Sequence, residues 1–353
     1  MARLVLASYG LSLPATVRSP EAIAEHLRAP LELVTGAFGL LGARVGRADD
    51  WPCALAASAS RQALAKAGME PEALGALIYA GDTLKERPNR SGAIAVAHAI
   101  GARSAQTFDV FQTCSSVLLG VHLAAAMLRA TRDAGPVLVA SGFRAPRTSP
   151  GFDVEALHVA SWSTCGGAAL LHEDGCASRS TCDGAAPLRD EGYELLSSEV
   201  RSDGTMSDAI VLTPGGTLSP DPPGEHDPPR GLELLRPEEL EEWMADRWLD
   251  AWIDCAHAAL RSAGVEPGSV AAIALQFVPP ARAEALAEAL GVAPERIVVA
   301  RTEGHAGPVD PLLALDLAER EGRLDRGDYA LLLATGTGFS WAATVLRRRP
   351  IPP

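Results

Sequence analysis

The chain has 353 residues, of which 47% are hydrophobic and 21% charged, and its formal net charge is −13. This acidic excess argues against nucleic acid as a partner, because binding to a phosphate backbone needs clustered cations. No apolar run reaches the length of about 20 residues that spans a bilayer as a helix, so no membrane association is expected.

The six cysteines stand at irregular intervals, which is typical of reduced thiols in a chain of this size. The sequence contains no CxxC pair and no Cys/His spacing of a zinc site, and we expect neither a metal nor a redox cofactor. A basic start followed by a long apolar block and a small-residue cleavage site is also missing, so a cytoplasmic location is expected.

Helices and strands alternate in the first half of the chain. The hydrophobic pattern predicts strands in RLVLASYGLSL, ALIYAG, TFDVFQ, PVLVASG and GGAALLHE, and helices in CALAASASRQALAKAG, SGAIAVAHAIGA and SSVLLGVHLAAAMLRA. The first of these helices is expected to end at Gly68. Such alternation is typical of a mostly parallel sheet with helices on its faces.

A second series begins near Tyr193 and repeats this order. It has strands in YELLSSEV, AAIALQF, RIVVA, YALLLATGT and WAATVLRR, and helices in EELEEWMADRWLDAWIDCAHAALRSAG, ARAEALAEALG and PLLALDLAEREG. Because residues 63–81 resemble residues 259–277, we predict an internal duplication with halves at 1–180 and 181–353. Residues 174–190 and the Pro/Gly-rich residues 213–231 lie between the two series, and the latter are expected to form a surface loop or a mobile lid.

Four segments together resemble β-ketoacyl-ACP synthase III, the initiating condensing enzyme of fatty acid synthesis in the thiolase superfamily. They are FDVFQTCSSVLLGV at 108–121, SSEVRSDGTMSDAIVLTPGG at 197–216, EGHAGPVDPLLAL at 303–315 and ATGTGFSWAATVLR at 334–347, in the order of the family. The resemblance covers nearly the whole chain. It implies an α/β thiolase fold, an internally duplicated five-layer α-β-α-β-α architecture, and a homodimer.

Cys114 stands where a predicted strand ends and a predicted helix begins. The N–H groups and partial positive charge at the start of a helix favour a thiolate, which is the form that attacks a thioester. The stretch alone leaves a second interpretation open, since a cysteine without a disulfide is often only a small buried hydrophobic residue. The resemblance favours the nucleophile.

The condensing relatives place a histidine and an asparagine beside this cysteine, and here both positions differ. The position of the histidine falls at Gln276, and that of the asparagine falls at His305. The only asparagine in the chain is Asn89, far from these segments. We therefore expect the decarboxylating pair to be missing, with Gln276 at most auxiliary.

His305 and Asp310 in GHAGPVD offer a different chemistry. A histidine takes a proton from a thiol or an acceptor, and a carboxylate orients its ring and stabilises the imidazolium, so Cys114, His305 and Asp310 are predicted to form a triad. The segment resembles the AHxGxxD-type motif of synthase III-like acyltransferases of natural-product pathways, with Gly304 in place of alanine. Asp310 also precedes Pro311 at the start of an apolar helical run, which is typical of a helix N-cap.

Three further residues receive predictions. By resemblance, the backbone N–H groups of Cys114 and Gly338 form the oxyanion hole, although a GTG sequence is also an ordinary turn between strands. His158 in ALHVASWST is an auxiliary candidate, because it lies near a segment that lines the acyl pocket of relatives. Cys165 is expected to be buried and inert.

These features lead us to expect a ping-pong acyltransferase of natural-product biosynthesis. An acyl group passes from an acyl carrier protein or coenzyme A thioester to Cys114, and then to a hydroxyl, an amine or a second carrier thiol, on a small-molecule or carrier-bound acceptor. The adenine-stacking tryptophan of relatives has no clear counterpart in LELVTGAFGLLGARV, which favours a carrier protein as donor.

Two alternatives stay open. One is decarboxylating synthase III-type condensation, which Gln276 disfavours because an amide does not supply a titratable imidazole. The other is a non-catalytic partner subunit of a condensing heterodimer, which the retained Cys114 disfavours.

Overall fold

A computed structural model describes residues 3–81, 86, 89–131, 134–147, 154–174, 192–215, 217, 218, 220, 224 and 230–349. Most of the two segments predicted between the halves, 174–190 and 213–231, therefore lies outside the described residues, as does the predicted boundary at residue 180. The boundary stays a prediction.

The helices are α1 (Pro20–Leu27), α2 (Pro52–Ala67), α3 (Gly92–Ile100), α4 (Ser116–Ala130), α5 (Val154–Ala160), α6 (Pro237–Trp243), α7 (Leu249–Ala263), α8 (Pro280–Leu290) and α9 (Asp310–Arg320). The strands are β1 (Leu4–Ser12), β2 (Val17–Arg18), β3 (Ala43–Arg44), β4 (Ala76–Gly81), β5 (Gln106–Phe111), β6 (Val137–Phe143), β7 (Cys165–Glu173), β8 (Tyr193–Ser202), β9 (Ile210–Thr213), β10 (Gly231–Leu234), β11 (Val270–Leu275), β12 (Ile297–Val298), β13 (Tyr329–Gly336) and β14 (Ser340–Arg348). The predicted elements are present, except that only two residues of the predicted RIVVA strand form a strand, β12.

Ten strands are hydrogen-bonded in the order β12-β11-β13-β14-β8-β1-β7-β6-β4-β5. Outward from the β1–β8 contact, the first half runs β1-β7-β6-β4-β5 and the second runs β8-β14-β13-β11-β12, so both halves have the same topology. Strands β1 and β8 pair antiparallel only from Leu4 to Leu6 and from Tyr193 to Leu195. The predicted internal duplication is visible in this order of strands.

The layers follow from which strands each helix contacts. Helices α2 and α3 cover the first half, α7 and α8 lie on the second, and α4 and α9 lie between the two halves. Alternation along strands supports this arrangement: Leu4 and Leu6 of β1 face the central cluster, whereas Val5 and Ala7 face the outer one. The predicted five-layer α-β-α-β-α thiolase fold is confirmed.

The prediction of a mostly parallel sheet is wrong. Within the described residues, five of the nine neighbouring strand pairs in the ten-stranded sheet are antiparallel, and only the pairs of β4 with β5 and β6 and of β11 with β12 and β13 are parallel. The helix-strand alternation accounts for those four pairs. Short connections such as the turn between β13 and β14 produce antiparallel neighbours, which alternation does not reveal.

The two repeated segments, residues 63–81 and 259–277, form the same structure. Helices α2 and α7 end at Gly68 and Gly264, with φ of 69° and 67°, a left-handed conformation that glycine adopts without strain. Each is followed by a 3₁₀ turn and then by a strand, β4 or β11, which has two parallel neighbours in its half of the sheet.

The predicted long acidic helix is divided. A π-helical turn at Met244–Trp248 joins α6 to α7. Trp243, Trp248 and Trp252 are 7%, 6% and 1% exposed, so these aromatic side chains belong to the core.

Within the described residues, one helical segment, residues 113–130, is long and apolar enough to cross a membrane by composition, with a mean hydropathy of 1.4. Half of this segment is buried inside the protein. Most of the segment is α4, which contacts strands of both halves and is therefore a central helix of the core.

Candidate active site

The site forms where the amino ends of the two central helices meet. A 3₁₀ turn at Thr113–Ser115 precedes α4, and a second one at Gly307–Val309 precedes α9. These two turns contact each other. Because the two halves are duplicated, each half contributes one helix start, and residues about 190 positions apart in sequence meet between the sheets.

Cys114 lies in the turn before α4, half-buried. Thr113 has a φ of 47°, an unusual value for a β-branched residue, and its hydroxyl donates to the Thr337 carbonyl oxygen at 3.3 Å. The Ser115 and Ser340 hydroxyls are hydrogen-bonded at 2.8 Å. Strained backbone of this kind persists where its surroundings determine it, and here the β13–β14 hairpin holds the turn that presents the thiol.

His305 is the partner of that thiol. Its Nε2 lies 3.3 Å from Cys114 Sγ. The His305 backbone pairs with the segment after α5: its N–H donates to the Ser161 carbonyl oxygen, and its carbonyl oxygen accepts from the Ser163 N–H, both at 2.8 Å. Main-chain pairing therefore fixes the backbone that carries the imidazole, and the His305 side chain is 4% exposed.

Asp310 completes the chain of hydrogen bonds. Its Oδ2 lies 2.5 Å from His305 Nδ1 and accepts from the Phe277 N–H at 2.8 Å, while Oδ1 accepts from the Ala306 N–H at 2.7 Å. The alternative N-cap role is wrong: Asp310 is itself the first residue of α9, and its carboxylate bonds to residues outside that helix.

Electrostatics of the site favour a protonated His305. Burial alone lowers the pKa of this imidazole, but the Asp310 carboxylate and the Cys114 sulfur, both hydrogen-bonded to it, outweigh burial and raise that pKa well above its ordinary value. A histidine of raised pKa beside a thiol is the environment in which a thiolate–imidazolium pair forms.

Gly304, which replaces the alanine of the related motif, is required by this geometry. Its φ is 69°, and a Cβ at this position would lie 2.6 Å from both the Ser161 carbonyl oxygen and the Ser163 hydroxyl. Gly304→Ala is expected to displace His305 and to slow acylation of Cys114 by at least about tenfold, with a loss of about 1–3 kcal/mol in stability. Acyl-adduct kinetics by intact mass and thermal unfolding measure both effects.

Gly291→Ala is the matched control. Gly291 ends α8 with a φ of 66°, but an added Cβ there meets nothing within 4 Å. It therefore carries the conformational cost without the clash, and its acylation rate should equal that of the unchanged protein. Equal kinetics in the two variants would contradict the role assigned to Gly304.

Gln276 is placed at the end of β11, 6% exposed. Its Oε1 accepts from the Thr335 N–H at 2.6 Å, which ties the side chain to the neighbouring strand β13. It is not among the residues that line the cavity at Cys114. Its auxiliary role stays a prediction.

Gly338 lies in the turn between β13 and β14 with a φ of 105°. The adjacent Thr337 lines the cavity together with Cys114. Phe339 is paired with Asp203 through both of its backbone groups, which anchors the turn. The oxyanion hole formed by the N–H groups of Cys114 and Gly338 stays a prediction.

A cavity of about 360 Å³ opens above the triad. Its lining consists of Phe111, Thr113, Cys114, Phe143, His158, Trp162, Ile210, Val211, Leu212, Gly215, Leu232, His305 and Thr337. The sequence identified Cys114, His158 and His305 among these residues but missed the apolar walls, of which β9 and β10 form one side. Trp162 lies beyond the end of α5 and forms a β-bridge with His305, so spacing along a helix did not reveal it.

His158 lies in the cavity wall, with its ring centroid 5.9 Å from that of His305 and 6.0 Å from that of Trp162. Burial and the neighbouring His305 lower the pKa of His158 to about 3, so this imidazole is neutral at ordinary pH. The structure thus brings the auxiliary candidate close to the triad.

The other described cysteines differ from Cys114. Cys165 and Cys255 are buried, and Cys53 is half-buried. Burial raises the pKa of Cys53 and of Cys255 to about 12. Among the described residues, no group of three or more His, Cys, Asp or Glu side chains is placed to hold a metal ion.

Comparisons with known proteins agree with this fold. Residues 260–348 match the family model described as 3-oxoacyl-[acyl-carrier-protein (ACP)] synthase III C terminal. β-Ketoacyl-[acyl-carrier-protein] synthase III of Roseiflexus sp. strain RS-1 is 26% identical over 346 residues, which covers 97% of each chain.

Two solved structures superpose over nearly the full length. The 3-oxoacyl-(acyl carrier protein) synthase III of Pseudomonas aeruginosa PAO1 has a TM-score of 0.80 at 21% identity, with 99% of this chain and 100% of that chain covered. The priming β-ketosynthase of the R1128 polyketide biosynthetic pathway has a TM-score of 0.79 at 21% identity, with 99% and 98% covered. These structures show that the chain has the thiolase fold. Its sequence is similar to β-ketoacyl-[acyl-carrier-protein] synthase III.

Proposed function

We propose that the protein is a ping-pong acyltransferase that moves an acyl group from a thioester donor to a hydroxyl, amine or thiol acceptor without forming a carbon–carbon bond, as a step of natural-product biosynthesis. The observation that carries this proposal is the continuous hydrogen-bond chain from Cys114 through His305 to Asp310. It is the arrangement of a nucleophile, a base and an orienting carboxylate.

In the first half-reaction, the Cys114 thiolate attacks the thioester carbonyl carbon. The tetrahedral oxyanion is stabilised by the backbone N–H groups of Cys114 and Gly338. When the intermediate collapses, the bond to the donor sulfur breaks and the His305 imidazolium gives its proton to the departing thiolate. The products are the acyl-Cys114 thioester, a free donor thiol and a neutral His305.

In the second half-reaction, neutral His305 takes the proton of the acceptor as its oxygen, nitrogen or sulfur attacks the acyl-Cys114 carbonyl. Collapse of this intermediate breaks the bond to Cys114 Sγ and restores the thiolate–imidazolium pair. Asp310, which accepts three hydrogen bonds, holds the ring in one orientation and stabilises its positive charge. The chemistry requires neither a metal nor a redox cofactor.

The acyl group that fits the cavity is neutral and apolar. Its walls carry the aromatic side chains of Phe111, Phe143 and Trp162 and aliphatic side chains from β9 and β10, and no Lys, Arg, Asp or Glu is among the described residues that line it. The buried Arg230 guanidinium lies beside the lining residue Gly215, but burying a carboxylate against the apolar walls themselves is costly. The cavity therefore disfavours a malonyl group, both as the acyl group carried by Cys114 and as the unit that a condensation would add.

Decarboxylative condensation is the second candidate, and the names of the relatives favour it over acyl transfer, because they are called β-ketoacyl-[acyl-carrier-protein] synthase III. Against it stand Gln276, whose Oε1 is engaged by Thr335, and the lack of any asparagine other than Asn89. A non-catalytic partner subunit is a third candidate. The hydrogen-bonded triad disfavours it, because a non-catalytic subunit does not need one.

One experiment separates these candidates. The protein is incubated with butyryl and with malonyl thioesters of coenzyme A and of an acyl carrier protein, and intact mass and carbon dioxide release are followed. We expect a butyryl adduct on Cys114, at least about tenfold less malonyl adduct, and no carbon dioxide. Carbon dioxide release with a new carbon–carbon bond would establish condensation, and no adduct from any donor would support the partner subunit.

The same experiment tests the donor. We propose an acyl carrier protein, which predicts faster acylation from the carrier-bound butyryl group than from butyryl-coenzyme A at equal concentration. A homodimer is proposed from the resemblance, and sedimentation at micromolar concentration measures the oligomeric state. The cytoplasmic location stays a prediction.

A further inference from the structure

His158 places a second imidazole in the cavity, and neither half-reaction described above uses it. His158 projects from α5 into the wall that also contains His305, and its ring packs against the rings of Trp162 and Phe38 at centroid distances of 6.0 and 6.3 Å. Aromatic neighbours on two sides fix the plane of the ring. The imidazole thus has a defined position beside the catalytic one.

The hydrogen-bonding groups of this ring are available. Within the part of the chain that the structure describes, the hydrogen bonds of His158 are made by its backbone carbonyl, and the side chain is half-buried where it lines the cavity. An imidazole that lines a substrate cavity and makes no hydrogen bond to the described residues is available to bond a ligand there. Because its pKa is lowered to about 3, the ring keeps one N–H donor and one nitrogen acceptor at neutral pH.

The polar side chains of His305 and Thr113 in the lining already have tasks, whereas the buried Trp162 Nε1 has no hydrogen-bond partner in the described part of the chain. His305 uses Nδ1 for Asp310 and Nε2 for the reacting proton, and the Thr113 hydroxyl is bonded to the Thr337 carbonyl oxygen. Once Cys114 is acylated, the attacking atom of the acceptor must stand next to His305 Nε2. The centroid separation of 5.9 Å between the two imidazoles brings both rings within hydrogen-bond reach of one such atom.

We propose that His158 hydrogen-bonds the attacking hydroxyl or amine of the acceptor and orients it between His305 and the acyl-Cys114 carbonyl. This inference rests on the proposed acyl transfer. His158 acts as a neutral donor and never as the base, because His305 alone is coupled to a carboxylate. Its contribution falls in the second half-reaction, when the acceptor is present.

The test separates the two half-reactions. Acylation of Cys114 by butyryl-N-acetylcysteamine is timed by intact mass, and the isolated acyl-enzyme is then treated with hydroxylamine, a small nucleophile, at several concentrations. His158→Phe is expected to slow the hydroxylamine reaction by roughly 10–100-fold while acylation changes by less than about threefold. His158→Gln, which keeps a donor, should recover part of the loss, and His98→Phe, on the exposed face of α3, should match the unchanged protein.

Three results overturn the inference. A hydroxylamine reaction that is unaffected in His158→Phe removes the role outright. An equal slowing of acylation and of the hydroxylamine reaction shows that His158 only maintains the shape of the cavity. If the unchanged protein forms no adduct with any thioester, the proposed function fails and this inference fails with it, whereas the first two outcomes leave acyl transfer standing.

Discussion

Cys114→Ala is expected to abolish both the acyl adduct and transfer to any acceptor, with a fall in rate of roughly 10⁴-fold or more, because removing the nucleophile of a triad costs about as much as removing the whole triad. The fold should be retained, since the side chain is half-buried and the substitution removes one sulfur atom. Intact mass after incubation with a butyryl thioester measures the adduct directly.

Cys53→Ala is the matched control for this change. Cys53 is also half-buried, at the start of α2, but burial and the nearby Glu86 carboxylate raise the pKa of its thiol to about 12. A thiol with that pKa is protonated at neutral pH and reacts slowly. The adduct should therefore persist in Cys53→Ala, and an adduct that survives in Cys114→Ala would remove Cys114 from the mechanism.

Local sequence was enough to predict most helices and strands and the position of Cys114. The apolar run after Cys114 predicts a helix, and α4 begins two residues after the cysteine. The duplication was also visible, because Gly68 and Pro71 have the same spacing as Gly264 and Pro267, and the two segments form equivalent elements. Strand direction was not predictable in this way, since it depends on which strands become neighbours.

The triad could be predicted from residue types but not located by spacing. Cys114 and His305 are separated by 191 positions, and they meet because both central helices start at the same point between the sheets. Asp310 shows the limit of local reasoning: Asp-Pro before an apolar run predicts an N-cap, but the carboxylate turns toward His305 and toward two backbone N–H groups. Long-range partners decided its role.

The walls of the cavity gave the weakest signal in the sequence. Ile210, Val211 and Leu232 belong to two four-residue strands, whose apolar residues resemble any short edge strand. Only the packing of this small sheet beside α5 makes them a substrate surface. The apolar character of the acyl group could therefore be inferred only from the structure.

Asp310→Asn is expected to lower the rate of transfer by roughly 10³-fold or more while leaving the side-chain volume unchanged. Both carboxylate oxygens accept from N–H groups, so an amide necessarily turns its own NH₂ toward a donor. Facing His305, the NH₂ favours the tautomer with a proton on Nε2, which is unable to take one from the acceptor. If the NH₂ faces Ala306 instead, it meets the Ala306 N–H, and neither donor has an acceptor. Asp316→Asn, also on α9, is the control and should keep normal rates.

The pH dependence of acylation provides a second measurement on the same variant. The pKa of His305 is raised above its ordinary value of 6.5 by Asp310 and Cys114 against the effect of burial, so the imidazolium that protonates the leaving thiolate persists to higher pH and is lost as pH rises through that raised pKa. Removing the carboxylate charge lowers this pKa, and the upper limb of the pH–rate profile should move to lower pH in Asp310→Asn. An upper limb at the same pH in both proteins would show that the Asp310 charge does not act on His305.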